Sequence, residues 1–408
     1  MESATSGSSN RRKFLKLGAA LTGGLSACKQ SAPDAASEEP SRLGKPISAY
    51  GERSPYEKAA RMLPDTRTPE AASSRTPLQD CYGAITPAPL HFERHHAGVP
   101  DIDPARHRLL IHGMVERPLI LAMDEIRRLP SATRIHFVEC AGNSGSEWGP
   151  RTGPTAQAAH GLASCSAWTG VPLSLLLEEV GVKPAASWIL AEGADACRMQ
   201  RSIPLKKAMA DVLVAYGQNG EAVRPGQGYP LRLVVPGWEG NLQVKWLRRI
   251  KVFDQPHMTR DETSKYTDLM ADGKARQFTF EMEAKSVITF PSGGQRLAGR
   301  GAYEIGGLAW SGRGRIERVE VSTDAGATWR NAALEEPRLR MAFTRFRVPW
   351  SWDGSEVTLV SRAIDETGYV QPSREDLIAA RGRNSQYHCN CLTAWKVMAD
   401  GSVGNAGA

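Results

Sequence analysis

The hydrophobic period of the chain changes near Phe278, and no other feature limits the fold as strongly. Beyond it helical spacing nearly vanishes, and short apolar runs follow at 286–290, 302–310, 316–322, 344–348 and 357–364. Turn signals separate them: Pro291-Ser292-Gly293-Gly294, Asp324-Ala325-Gly326 and Asp353-Gly354. Alternation at Val319/Val321 and Val357/Leu359 gives strands with one wet face. Residues 275–400 are therefore expected to form an immunoglobulin-like β-sandwich, a fold of roughly 100 residues or a little more.

Before the change, helix and strand signals mix. Strands are expected at 107–112, 135–138 and 231–235, the last ended by Pro236-Gly237. A short helix is expected within 119–129, starting near Asp124, and another over 172–180, where Leu173, Leu176, Leu177 and Val180 share a face and Gly181 closes it. There is no regular strand–helix–strand alternation, so residues 89–265 read as an α+β domain rather than a doubly wound sheet. The charged stretch between Phe253 and Phe278 is the expected boundary. Residues 29–88, rich in Pro, Ser, Ala and charge, read as a linker or wrapping arm.

A length of 408 residues leaves room for two or three cores. The net charge is 51 − 44 = +7, but acids and bases interleave, which argues against a nucleic-acid partner. No apolar run after residue 30 approaches the ~18 residues of a membrane span. Residues 1–28 read as an export signal: Arg11-Arg12-Lys13-Phe14-Leu15-Lys16 resembles a twin-arginine motif and a mild apolar stretch follows, so the expected location is periplasmic. An ordinary secretory signal with two chance arginines is the alternative. Leu25-Ser26-Ala27-Cys28 resembles a lipobox, with a lipid anchor at Cys28 as the minority outcome. The seven cysteines contain no Cys-x-x-Cys, which removes the usual motifs for zinc ribbons, iron–sulfur clusters and attached haem, and their pairing is left open.

The common nucleotide, zinc-protease and α/β-hydrolase motifs are also missing. Three segments stand out instead: His91-Phe92-Glu93-Arg94-His95-His96; the strand-to-turn Phe137-Val138-Glu139-Cys140-Ala141-Gly142-Asn143; and the run from Tyr229 through Arg232 and Pro236-Gly237 to Val244-Lys245-Trp246-Leu247-Arg248-Arg249. Each has a bland reading. His91 and His95 have helical spacing for zinc, although Pro87, Pro89 and Pro100 favour a loop; Cys140 alone is an inert thiol; the Lys-Trp-Leu-Arg-Arg run is a solvated strand edge.

In this order the three segments resemble the molybdenum domain of the sulfite oxidase family, and the C-terminal sandwich resembles that family's dimerisation domain. The resemblance implies a molybdenum–molybdopterin cofactor with Cys140 as the thiolate ligand, a soft donor suited to a high-valent metal that carries a pterin dithiolene. It implies that Phe92, Glu93, Arg94, His95 and His96 line the pterin, and that Arg232 with Gln243, Val244 and Lys245 holds its phosphate end, where cations and loop amides are needed. Asp195 is a further candidate, and Gln227 stands where many members carry histidine. Within the family, Cys140-Ala141-Gly142-Asn143-Ser144-Gly145, His95-His96 and the stretch from Tyr387-His388 to Trp395-Lys396-Val397 look most like the molybdenum subunits of bacterial Sox sulfane dehydrogenases. Ser144 and Gly145 replace the pocket arginine usual in sulfite oxidases, which weakens the case for a small free dianion and leaves space for a larger substrate.

The reaction this resemblance implies is oxygen-atom transfer to sulfane sulfur on a carrier protein, with electrons passing singly to a c-type cytochrome subunit and a homodimer within a heterotetramer. Arg94 would position the anion with paired donors, and Tyr266 would stand beside the metal unless it is only a linker residue. Arg345, or else Arg347, would reach in from the sandwich. The rivals are a periplasmic sulfite dehydrogenase or S-oxide reductase of the same family, and a non-catalytic binding module without metal.

Overall fold

A computed structural model describes residues 43–63, 68–149 and 153–407; the expected export signal and Cys28 lie outside them. The chain divides into Met1–Glu57 and Lys58–Ala408. In the first unit, residues 43–57 form neither helix nor strand and expose Leu43, Ile47, Tyr50 and Tyr56. Every described helix and strand belongs to the second unit. Among the described residues no helix is long and apolar enough to cross a membrane.

The fold is α+β followed by a β-sandwich. Within the α+β domain, an antiparallel sheet runs Glu221–Ala222, Leu213–Gln218, Ala163–Pro172, Ala132–Glu139, with Arg232–Val234 also paired to Leu213–Gln218. A second runs Leu119–Ala122, Arg108–Gly113, Leu247–Phe253, Trp188–Gly193, Gln200–Pro204. Leu247–Phe253, which starts inside the Lys-Trp-Leu-Arg-Arg run whose bland reading was a solvated edge, is its middle strand, parallel to Arg108–Gly113 and antiparallel to Trp188–Gly193. Leu247, Ile250 and Val252 supply its buried face, while Arg248 and Arg249 both reach the buried Glu192 carboxylate. Helix Leu173–Val180 packs the expected leucines inward and ends at Gly181, whose φ of 65° suits a residue without Cβ. The short helix expected to start near Asp124 runs Met123–Arg128, and residues 119–122 before it pair with Arg108–Gly113.

The segment 58–88 lies along this domain. Ser73–Ser74 pairs with Glu93–Arg94, Met62 bridges to Arg75, and the Thr86 N–H donates to the Cys165 carbonyl at 2.8 Å. Leu78 is buried in the core.

The sandwich packs a four-stranded sheet (Lys285–Phe290, Gly301–Trp310, Thr344–Trp352, Ala333–Leu334) on a five-stranded one (Arg330–Asn331, Ile316–Ser322, Val357–Asp365, Ala394–Val397, Val403–Asn405). Thr344–Trp352 alternates strictly, sending Phe346, Val348, Trp350 and Trp352 inward to meet Trp310, Val319, Leu359 and Trp395. One helix, Arg374–Arg381, interrupts the strands; the Ser373 hydroxyl caps it by accepting from the Asp376 N–H. The core does not stop at the domain boundary: Phe137 stacks on Phe343 with centroids 6.4 Å apart and packs against Trp310.

Close packing makes one glycine critical. A Cβ at Gly307 would sit 2.3 Å from both the Phe346 ring and the Val287 carbonyl, whereas one at Gly306 would meet nothing nearer than 3.8 Å. Gly307→Ala should therefore cost about 1–3 kcal/mol by overpacking. Gly306→Ala should be close to neutral, and thermal unfolding of the two variants measures the difference.

Candidate active site

Strand Ala132–Glu139 delivers Cys140 into the turn 141–144. The turn is tied down by its own polar groups. The Cys140 N–H donates to the Leu162 carbonyl at 2.9 Å, the Asn143 N–H to the Cys140 carbonyl at 2.9 Å, and the Leu162 N–H to Asn143 Oδ1 at 3.1 Å. Ser144 adopts a left-handed conformation, with φ of 61°. The loop around Gly240 lies so close that a Cβ there would fall 2.8 Å from the Glu139 carbonyl and 3.1 Å from Cys140 Cα.

Cys140 faces a pocket of about 670 Å³. Its walls contain Phe92, Glu93, Arg94, His95, His96, Asp195, Gln227, Arg232, Gln243, Val244, Lys245 and Tyr266, so every site residue expected from the sequence except Arg345 meets in one place. The segments are joined by hydrogen bonds. Lys245 Nζ donates to the carbonyls of Arg94 (3.2 Å) and Gly226 (3.0 Å) and lies 2.9 Å from His95 Nδ1. Gln227 Nε2 donates to the Phe92 carbonyl at 2.7 Å, and Arg232 Nη1 to the Gln227 carbonyl at 2.7 Å. Gln243 spends its amide on Val235 and Trp238, and so shapes the wall rather than offering a free group. Asp195 accepts from the Met199 N–H and the Cys197 thiol. Tyr266 is no surface linker: its hydroxyl lies 2.9 Å from His96 Nε2, and the Arg201 guanidinium covers its ring at 5.1 Å.

The pocket carries more cationic than acidic side chains, three against Glu93 and Asp195. Arg94, Arg232 and Lys245 line it, and among the described residues none has a carboxylate within ion-pair distance. Burial alone pulls the Arg232 guanidinium down to about 9, and burial together with Arg232 pulls Lys245 down to about 7. Burial and the Arg94 charge hold His96 down at about 4, leaving a neutral ring against Tyr266, whose phenol burial and the Cys140 thiolate push up. Burial raises the Cys140 thiol, opposed by the Gly142 N–H and Arg94.

Arg345 is elsewhere. It donates to the carbonyls of Cys81 and Gly83 and so tacks the 58–88 segment to the sandwich. The alternation that buries Phe346 puts Arg345 and Arg347 on the same outer face, and Arg347 pairs with Glu304 and Glu335. His91 and His95 do not form a zinc pair: His91 Nδ1 lies 3.0 Å from the Phe92 carbonyl, and His95 is taken by Glu93 and Lys245.

Residues 96–260 match the family description "Oxidoreductase molybdopterin binding domain", and 276–395 match "Mo-co oxidoreductase dimerisation domain"; Tyr266 falls between the two. The solved sulfane dehydrogenase SoxCD from Paracoccus pantotrophus is 46% identical, with a TM-score of 0.85 over 90% of this chain and 95% of that one. Mitochondrial sulfite oxidase of Mus musculus is 31% identical over 71% of this chain and 58% of its own length. The NADH nitrate reductase of Ulva prolifera is 31% identical over 75% of this chain and 40% of its own. The chain thus spans about half the length of these curated relatives. It belongs to the sulfite oxidase family of molybdopterin oxidoreductases.

Molybdenum–molybdopterin is the family's cofactor, and the pocket fits it on two grounds. Three cations without a direct ion-pair partner among the described residues suit a phosphate-bearing pterin. Among the described residues no group of three or more His, Cys, Asp or Glu is arranged to hold a metal, so a metal at Cys140 has to bring most of its own ligands, as a dithiolene does. The sequence reading passed over Met199, Gly240, Asn241 and Trp246, which also line the pocket. The one signal for them was the Pro236-Gly237 turn, after which a loop must return to the strand carrying Lys245 and Trp246.

An anion in this pocket raises the pKa of Lys245 again, so above pH 7 binding takes up a proton. The affinity of the cofactor-free protein for molybdopterin should fall between pH 7 and 9, by up to about tenfold per pH unit. Lys245→Arg should flatten that profile, as read by calorimetric titration across pH.

Proposed function

We propose that this chain is a molybdenum-dependent sulfane dehydrogenase that oxidises sulfane sulfur held on a carrier protein and passes electrons singly to a c-type cytochrome subunit. The observation that carries the reading is the match to the solved sulfane dehydrogenase, at 46% identity across 95% of that chain. The cofactor, bound at Cys140, supplies oxygen-atom transfer and accepts two electrons. In this reading Cys140 gives up its proton to become the metal's thiolate, with Arg94 close enough to favour the anion. Arg94 orients oxygens as they gather on sulfur. Tyr266 and His96, 2.9 Å apart, would hold a hydrogen-bonded pair in the pocket beside the cofactor, with the phenol protonated and the imidazole neutral at working pH.

Ser144 and Gly145, where sulfite oxidases bring an arginine, do not line the pocket, and the Ser144 hydroxyl lies 2.7 Å from His160 Nδ1. A free dianion therefore receives no guanidinium from the cysteine turn, which favours sulfur presented on a carrier. The sandwich supports a homodimer to which cytochrome subunits add, and Arg11-Arg12 supports periplasmic export in the folded state, with Cys28 lipidation as a variant. The likeness to mitochondrial sulfite oxidase favours a second reading, a dehydrogenase of free sulfite.

Elemental analysis of the exported protein should give molybdenum near one per chain. Cytochrome reduction should follow carrier-bound sulfane and not free sulfite, and Cys140→Ser should abolish turnover while the circular dichroism stays that of the parent. Turnover on free sulfite would move the assignment to the second reading. A chain that holds no metal in a host making the cofactor would be a binding module.

A further inference from the structure

We propose that Lys285 of the sandwich, acting through the Glu139 carboxylate, is a positioning residue for the Cys140 thiolate. This deepens the proposed function and rests on Cys140 being the metal ligand. Glu139 immediately precedes Cys140 and is 0% exposed. Its carboxylate receives three donors: Lys285 Nζ at 2.5 Å, Trp310 Nε1 at 2.6 Å and Asn143 Nδ2 at 2.9 Å. The first two come from adjacent strands of the sandwich, the third from the far end of the cysteine turn. Lys285, itself 2% exposed, also donates to Ser144 Oγ at 3.3 Å, just past that turn. One ammonium therefore holds residues on both sides of Cys140-Ala141-Gly142. The sandwich grips the middle as well, since the His388 N–H donates to the Ala141 carbonyl at 2.8 Å.

The chemistry of the cluster is exacting. All three partners of Glu139 are donors, so the acceptor must be a carboxylate; an amide there would aim its NH₂ at another donor. A buried ion pair is weak evidence of stability, because apolar residues of similar volume often do as well, whereas removing one partner leaves a charge stranded. What the pair supplies here is direction. It fixes the Glu139 side chain, which fixes the Asn143 amide, whose Oδ1 holds the Leu162 N–H beneath Cys140. The ligand sulfur leaves the backbone between these two anchors, and a misplacement on the ångström scale at a reacting centre is costly.

The test uses the full chain matured with its cofactor, in four forms: parent, Lys285→Met, Glu139→Gln and the double variant Glu139→Gln/Lys285→Met. The double variant leaves no stranded charge and one mismatched donor, so it should melt closer to the parent than either single variant and carry the test even where a single variant fails to fold. It should bind molybdenum yet shift the thiolate-to-molybdenum charge-transfer band, and kcat should fall about tenfold or more with KM little changed. In the cofactor-free protein the rate of Cys140 alkylation by iodoacetamide should change in the same variant. A double variant with the parent's band, kcat and alkylation rate would overturn the positioning role and leave the pair purely structural. A parent chain without molybdenum, or a Cys140→Ser chain that keeps the band, would instead overturn the metal-ligand reading on which the proposal stands.

Discussion

The Glu139–Lys285 ion pair lies where the pocket, the core and the sandwich meet, and each depends on the other two. Two opposite charges without solvent are tolerable only when geometry and extra donors offset their desolvation. Trp310 and Asn143 provide those donors, so the carboxylate needs both the sandwich and the cysteine turn to be in place. The aromatic contact of Phe137 with Trp310 and Phe343 runs alongside, excluding water from the pair and extending the apolar core across the boundary. The division into two family domains is therefore not a division in packing. The segment from Lys58 onward clusters as one compact unit because the polar centre of the joint is buried in shared hydrophobic surface.

The pocket on the other side of that turn has the opposite character. Where Glu139 is surrounded by donors and matched by a cation, Arg94, Arg232 and Lys245 share one cavity and spend their donors on carbonyls. Burial depresses the pKa of Arg232 and, with Arg232 beside it, that of Lys245, which falls to about 7. Such an arrangement is costly to the cofactor-free protein and favourable once an anion enters. The affinity of the site is thereby stored in the fold before the ligand arrives.

Where the side chains did their work through local pattern, the sequence was legible. The sandwich strands follow from alternation and turn residues, and helix Leu173–Val180 from its leucine spacing and Gly181. The strand Ala163–Pro172 was not visible, because it is built of small residues, Ala, Ser, Cys and Gly, that pack on both faces and alternate in nothing. In Leu247–Phe253 the arginines alone leave the bland reading of an edge open, but Glu192 on the neighbouring strand neutralises them within a sheet. The site was readable as a set of residue types in order, through family resemblance, and the pocket gathers those residues; what each does there is a separate question. Arg345 could not be placed from the sequence, since facing a pocket or facing an arm depends on which side of one strand is outward. Nor did the sequence pair Glu139 with Lys285, residues 146 apart whose meeting is a property of tertiary packing alone.

The support these elements give one another follows from who touches whom. The arm strand Ser73–Ser74 pairs with Glu93–Arg94, which is pocket wall, and Arg345 of the sandwich holds the arm at Cys81 and Gly83. That wall of the pocket is thus braced by a segment N-terminal to the domain, and that segment is held by one C-terminal to it. Arm, wall and sandwich are one connected set of contacts, so the wall cannot shift without disturbing the other two.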